Sequence, residues 1–383
     1  MRDIFQVVRL NNAPIRAAPT RTSHLPGLIT CTLPFSYPDG RSFVAIGCTE
    51  GIWVADARDP DFLHRVLDLK GTSEFAVIEH FRIFLVLADR VDALDPYSQD
   101  TRVPQKLSAN HNVESFRVGI WIESLVIAYR RRDGLDSIFR FLEPHTGYPI
   151  PEDLNPADPD PIVTDLGNTQ ILHFKTIKEI YIPESCNDIM FFRTYIAVLR
   201  NRGVELIFKQ TLETQSMLDT KDPRFKKSLA KRCKAGTVRG ISRTRNGDFL
   251  ICYDTFGLLI DRYGTPLYST THTIDWHGPV HTFIPLFPYV VLFKPTSLEI
   301  RDGTTGALEQ VIFGPNMRCT WRGPSQLDLG PGALDEDSLV PPQEAHERSR
   351  VMYVLNAPGV ASVGGEVSQH VYNLVLKMDE EQQ

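Results

Sequence analysis

The sequence predicts an all-β fold, a seven-bladed β-propeller, and three observations predict it. Helical periodicity is almost absent; short β-rich runs separated by turn signals recur instead, the pattern of a sandwich, barrel or propeller. The runs come in fours and return at roughly the 40–45 residues of a propeller blade. The last group of runs lacks a fourth strand, while a β-like run near the N-terminus, Ile4 to Leu10, has no group of its own.

The first unit, Leu28 to Leu69, is the clearest: LITCTLPF, a Pro38-Asp39-Gly40 turn, SFVAIGC, the Glu50-Gly51 turn, IWVADA and HRVLDL. Glycine reverses the chain here because it accepts positive φ without a Cβ clash. The second unit reads EFAVIEHF, RIFLVLAD, RVDALDP and QKLSAN. The third reads VESFRVGIWI, SLVIAYRR and SIFRFLEP and, after an insertion, ends with HFKTIKEIYIP. DIMFFR, TYIAVLR, GVELIFK and TQSMLD form the fourth; TVRGISRT, GDFLICYD, FGLLIDRYG and LYSTTHTI the fifth; VHTFIPLF, YVVLFKP, SLEIRDG and LEQVIFG the sixth. The seventh has MRCTWRG, RVMYVLNA and HVYNLVLKM. Pairing Ile4–Leu10 into that last sheet would close the ring through the N- and C-terminal strands and hide both sheet edges. Runs such as FLVLA, YIAVL and YVVLF are nearly continuous in apolar residues, as strands buried on both faces between blades should be.

Three stretches break the rhythm. Residues 148–169 contain PIPEDLNPADPDP, whose prolines remove donors, and are expected to be a surface loop. Residues 219–235, DTKDPRFKKSLAKRCKA, place Phe225 and Leu229 four apart among lysines and predict one short basic helix on the rim. Residues 323–350 are rich in Gly, Pro, Ser and acids and predict a long, disordered excursion inside the last blade.

With 383 residues, 42% hydrophobic and 23% charged, the chain can build a large core and lacks the composition of a disordered protein. A net charge of −6 with interspersed signs gives no global basic field to hold nucleic acid, and no alternating aromatic platforms for single strands are evident. The N-terminus has no apolar signal stretch, and the longest apolar-rich run, Phe283 to Phe293, is too short to span a bilayer and carries two prolines. The six cysteines (Cys31, Cys48, Cys186, Cys233, Cys252, Cys319) form no C-x-x-C pair and five lie in or beside apolar runs, which predicts reduced core residues and a cytoplasmic protein.

Candidate chemistry is sparse. His272, His277 and His281 have spacings that could present metal ligands, but a polar turn between blades explains them better and no metal is predicted. Asp158 and Asp160 lack the glycine bend and closing glutamate of a calcium loop. Gly359 to Gly365 has no Lys-Ser/Thr after it, and no G-x-S-x-G elbow occurs. Nothing in the linear pattern selects the carboxylate pair that a propeller hydrolase would need, so neither a catalytic residue nor a cofactor is expected. Two basic groups remain as candidates for docking an acidic protein surface or anionic lipid: Arg130, Arg131 and Arg132 after the second strand of the third unit, and Lys226, Lys227, Lys231, Arg232 and Lys234 on the insertion helix.

Several segments resemble a known family in order along nearly the whole chain. GCTEGIWVAD (Gly47 to Asp56) and EFAVIEHFRIFLVLAD (Glu74 to Asp89) are similar to the opening of a citron homology domain. RNRGVELI and GDFLICYDTFGLLIDRYG are similar to its middle, and IDWHGPVHTF with FPYVVLFKPTSLEIRDGTTGALEQVI to its late portion. The resemblance implies a WD-like propeller without the Trp-Asp signature, and its wording is most similar to fungal Rho guanine-nucleotide exchange factors that feed cell-wall integrity signalling. It implies a non-catalytic regulatory scaffold that contacts a small GTPase of the Rho type, or docks on the exchange-factor domains of its own chain. Recruitment to the cell cortex or plasma membrane goes with that role. On this reading the chain is a domain excised from a longer exchange factor, with Met1 an added start. Vacuolar and vesicle-tethering subunits carry the same domain, which makes a tethering propeller the alternative.

Overall fold

A computed structural model describes residues 4–10, 15–17, 27–36, 41–56, 63–78, 81, 83–91, 107–108, 112–147, 162–165, 171–218, 226–244, 246–261, 263–267, 273–286, 288–322, 350–356 and 367–377. The fold is an all-β propeller; the described residues contain one helix, Lys227–Ala235. No helix among them is long and apolar enough to cross a membrane.

Six antiparallel sheets of four or five strands are the blades. The first unit is Ile29–Ser36, Ser42–Cys48, Gly51–Asp56 and Leu63–Leu67, paired in that order. The third is Val113–Trp121, Ser124–Asp133, Asp136–Gly147 and Ile171–Ile182. The fourth, fifth and sixth begin with Cys186–Phe191, Val238–Arg243 and Thr282–Leu286, each followed by three more strands in sequence order. The last sheet takes Arg318–Trp321, Arg350–Asn356 and Val367–Leu376 and then Phe5–Arg9 from the other end of the chain, with Phe5 opposite Leu376. Ile15–Ala17 also pairs with Val367–Leu376.

The second unit departs from expectation. Seven four-stranded blades are predicted, but here the described residues form two two-stranded pairs: Glu74–Ile78 with Ile83–Leu87, and Leu69–Lys70 with Arg90–Val91. Residues 92–106, which follow Val91, lie outside the described residues. A second correction falls in 148–169, expected to be loop throughout. Ile162–Asp165 forms a strand against Ile171–Ile182, in keeping with the β-branched run Ile162-Val163-Thr164.

The core lies between sheets, as a propeller requires. Ala197 and Leu199 of the fourth unit pack with Ile241 and Phe249 of the fifth. Phe139 and Phe141 of the third meet Phe191 and Ile196 of the fourth, and Met352 and Val354 of the last meet Val44 and Ile46 of the first. Close approach of neighbours depends on two glycines in first strands. A Cβ on Gly119 would stand 2.3 Å from the Phe191 ring, and one on Gly240 would stand 2.4 Å from the Phe283 ring, so each glycine leaves room for the next unit's phenylalanine.

Five of the first strands share a local irregularity. Register shifts occur between Ile29 and Cys31, Val113 and Ser115, Cys186 and Asp188, Val238 and Gly240, and Cys319 and Trp321. A bulge re-aims the extra side chain, and two of these residues reach the following unit. The Thr30 hydroxyl donates to the Thr72 carbonyl, and the Asn187 amide donates to the Val238 carbonyl at 3.1 Å.

Candidate functional site

First strands of neighbouring units contact one another, and their polar side chains meet in a network. Arg117 of the third unit donates to Glu74 of the second at 3.0 Å and to Asp188 of the fourth at 2.6 Å; Arg322, which follows the first strand of the last unit, donates to the same Asp188 oxygen at 2.9 Å. Burial by itself would raise the Asp188 carboxyl, but Arg117 and Arg322 outweigh it and hold it below the ordinary carboxylate range. Four units are thereby tied together by charge, with every guanidinium in the set facing a carboxylate. That is a structural tie and offers no acid–base pair.

The predicted basic groups fare differently. Arg130, Arg131 and Arg132 lie within the strand Ser124–Asp133, not beyond it, and are engaged internally. Arg130 pairs with Glu114 at 3.0 Å and donates to the Cys186 carbonyl; Arg132 pairs with Glu114 at 3.1 Å; Arg131 pairs with Glu179 at 3.6 Å. On the helix, Leu229 and Cys233 are buried while Lys226, Lys227, Lys231 and Lys234 are exposed. Arg232 turns back to Asp275 and lies 4.1 Å from the centre of the Phe256 ring, so it anchors the helix. The helix begins with Lys226 as N-cap, no side-chain cap and no acid in its first turn. Cations at that end oppose the helix dipole, so Lys226 and Lys227 do not stabilise the helix they sit on, whereas Arg232 and Lys234 stand in the last turn, where the dipole favours them.

Among the histidines, His277 is exposed and its Nδ1 lies 3.1 Å from Arg301, inside a cluster where Lys294 and Arg301 both pair with buried Glu299. Among the described residues no three His, Cys, Asp or Glu side chains gather as metal ligands. His272, Phe225, Asp158, Asp160 and residues 359–365 lie outside the described residues, as do 323–349. All six cysteines are free thiols, and burial pushes Cys31 up to about 12 and Cys186 up to about 11, which leaves them protonated and unreactive.

Sequence reasoning missed the most unusual surface. Ile122 has φ 57° and Leu212 has φ 59°, in the turns that close the first hairpin of the third unit and the last hairpin of the fourth. A left-handed conformation costs roughly 1–2 kcal/mol for a residue with a Cβ, and a β-branched one is a genuine outlier. Packing recovers only part of that cost, since Ile122 stays 50% exposed and Leu212 37%. Lys209 binds the two turns together: its buried ammonium donates to the carbonyls of Ile120 at 2.7 Å and Arg193 at 3.1 Å and to that of Phe192. Burial draws this lysine's pKa down to about 8. The two turns so linked each carry a bulky, partly exposed apolar side chain beside an exposed glutamate, Glu123 or Glu213, and together form a shelf. Nothing in a linear sequence signals the sign of φ at an isoleucine.

Comparison with known proteins places this geometry. A family model described as the CNH domain matches residues 40–323. The chain belongs to the CNH domain family. Within curated relatives, this CNH chain is 28% identical over 311 residues to Rho1 guanine nucleotide exchange factor 1 of Schizosaccharomyces pombe, covering 77% of this chain and 22% of that protein. It is 24% identical over 320 residues to Rho1 guanine nucleotide exchange factor 2 of the same organism, covering 80% and 26%. Citron rho-interacting kinase of Rattus norvegicus matches at 29% over 149 residues, 38% of this chain and 7% of that one. The chain therefore spans about a quarter or less of the length of these relatives. A solved structure described as "AfRom2 CNH domain" superposes with a TM-score of 0.65 at 20% identity, over 98% of this chain and 100% of that one, and shows the same fold.

Proposed function

We propose that this CNH domain is a non-catalytic regulatory module that binds a small GTPase of the Rho type, in a parent protein that is a guanine-nucleotide exchange factor. The kind of partner is taken from the relatives, whose names tie them to Rho1 exchange or to Rho interaction. The observation that carries the binding reading is the shelf of Ile122 and Leu212, where backbone strain is held and two apolar side chains stay partly exposed. Strain of this kind is kept where a contact with a partner repays it. We place the shelf on a seven-bladed ring closed by the two chain ends, a reading supported by the pairing of Phe5–Arg9 with Val367–Leu376 and by apolar packing between the last and first units.

Holding the GTPase beside the exchange-factor domains raises its effective concentration there without touching the chemistry. Cell-wall integrity signalling and recruitment from the cytoplasm to the cell cortex belong to this proposal. The exposed lysines of the helix supply a second contact, to acidic residues of the GTPase or to anionic lipid. Titration of the domain with Rho loaded with GDP or GTP tests the reading. Binding to at least one nucleotide state is expected, together with a several-fold loss in a Lys226→Glu/Lys227→Glu/Lys231→Glu variant whose folding is intact. No binding in either state would remove the GTPase from the proposal.

A further inference from the structure

Between the sixth unit and the last the structure leaves a cleft of about 260 Å³. Its lining includes the buried Phe293 and Met317 and the exposed Pro295, together with Arg318, Asn316 and His281. Backbone bonds fix both walls: the His281 N–H donates to the Phe293 carbonyl at 2.8 Å and the Met317 N–H to the Pro295 carbonyl at 3.1 Å. This is a built feature, independent of the shelf on the third and fourth units.

Arg318 is the unusual member. Arg117, Arg130 and Arg301 are each paired with a carboxylate. Arg318 is half-buried, yet among the described residues no carboxylate lies within ion-pair distance of it. One terminal nitrogen donates to the Gln369 side-chain oxygen at 3.0 Å. That neutral amide is already engaged, its oxygen accepting from the Ile29 N–H at 3.1 Å and its nitrogen donating to the Gly27 carbonyl at 3.0 Å. A guanidinium carries five N–H donors, so among the described residues most of its capacity has no acceptor. Burial without an anion draws its pKa below the ordinary arginine value.

We propose that this cleft is a recognition pocket for an acidic peptide, with an Asp or Glu carboxylate on Arg318 and an adjoining apolar side chain against Pro295. The volume lies below the roughly 300–1,000 Å³ of sites for drug-sized ligands, so it suits one or two anchoring side chains. A single guanidinium matches the charge of a carboxylate, whereas a phosphoryl group brings about −1.5 to −2 and would leave charge uncompensated. The site goes beyond GTPase binding, and its failure leaves that reading untouched.

The test is ligand-observed NMR on the whole chain with N-acetyl-Leu-Glu-amide and N-acetyl-Leu-Gln-amide as probes. The glutamate probe should bind at millimolar concentration and at least about fivefold more tightly than the glutamine probe. Arg318→Gln should remove that preference. Because this change also breaks the bond to Gln369, Asn316→Asp provides a second variant. Asn316 has φ 48° and is exposed; aspartate tolerates that backbone as asparagine does, and it sets a competing carboxylate at the rim. It should abolish binding of the glutamate probe while the melting temperature stays unchanged. Equal affinity for the two probes, no binding of either, or full binding by Asn316→Asp overturns the proposal. So does displacement of the probe by an equal concentration of inorganic phosphate, which would assign the cleft to a phosphoryl ligand.

Discussion

Asp188 shows how a single side chain serves a ring of sheets. It accepts from Arg117 and Arg322, residues of the third unit and of the chain leaving the last one. A carboxyl held down in the folded state contributes stability above its unfolded pKa of roughly 3.9, and loses it as pH falls through the folded value. The wild-type domain should therefore lose stability below about pH 4, with Asp188 one source of the loss. Asp188→Asn should flatten that acid limb and cost about 3 kcal/mol at neutral pH, the scale for leaving a buried ion pair with one partner. Denaturant unfolding at several pH values checks both effects; an acid limb of unchanged steepness would place the sensitivity elsewhere. Arg130, Arg131 and Arg132 teach the complementary lesson. A run of cations reads as a solvated patch, and only folding brings Glu114 of the neighbouring strand and Glu179, two strands away in the sheet, beside them.

At the scale of elements, the first strands carry the logic of the fold. Gly240 lies where the next unit's Phe283 needs the space, so Gly240→Ala should cost about 1–3 kcal/mol through overpacking even though alanine is otherwise the better strand residue. Adding Phe283→Leu should recover part of that loss in a double-mutant cycle; simple additivity of the two losses would show that the ring is not the obstacle. Much of this level was legible beforehand. Alternating runs and Gly-containing turns located the strands of six sheets, and the orphan run near Phe5 found its place beside Val367–Leu376. The helix was legible from Leu229 and its lysines, because one buried stripe among cations has few other solutions. The strand Ile162–Asp165 was hidden by the prolines before it, which dominate composition over a short window although a four-residue β-branched run needs only one partner strand. In the second unit RVDALDP counts as a strand by rhythm; the described residues hold Arg90–Val91 of that run, which pairs with Leu69–Lys70.

For the whole molecule, a repeating apolar rhythm announces a propeller, while the residues that give one propeller its role sit in turns whose conformation the rhythm does not encode. Ile122, Leu212 and the buried Lys209 between their turns belong to that class. The central claim is that strained turns on a rigid CNH scaffold are kept for binding a Rho-type GTPase. Calorimetric titration of Rho into wild type and into an Ile122→Asn/Leu212→Asn variant, paired with thermal unfolding, tests it most directly. Asparagine accepts the left-handed backbone and removes the exposed apolar surface. The account predicts an unchanged or higher melting temperature with GTPase affinity reduced tenfold or more, on the order of 1.4 kcal/mol. A lower melting temperature with undiminished affinity would contradict it, because the two side chains would then serve the fold and not the partner.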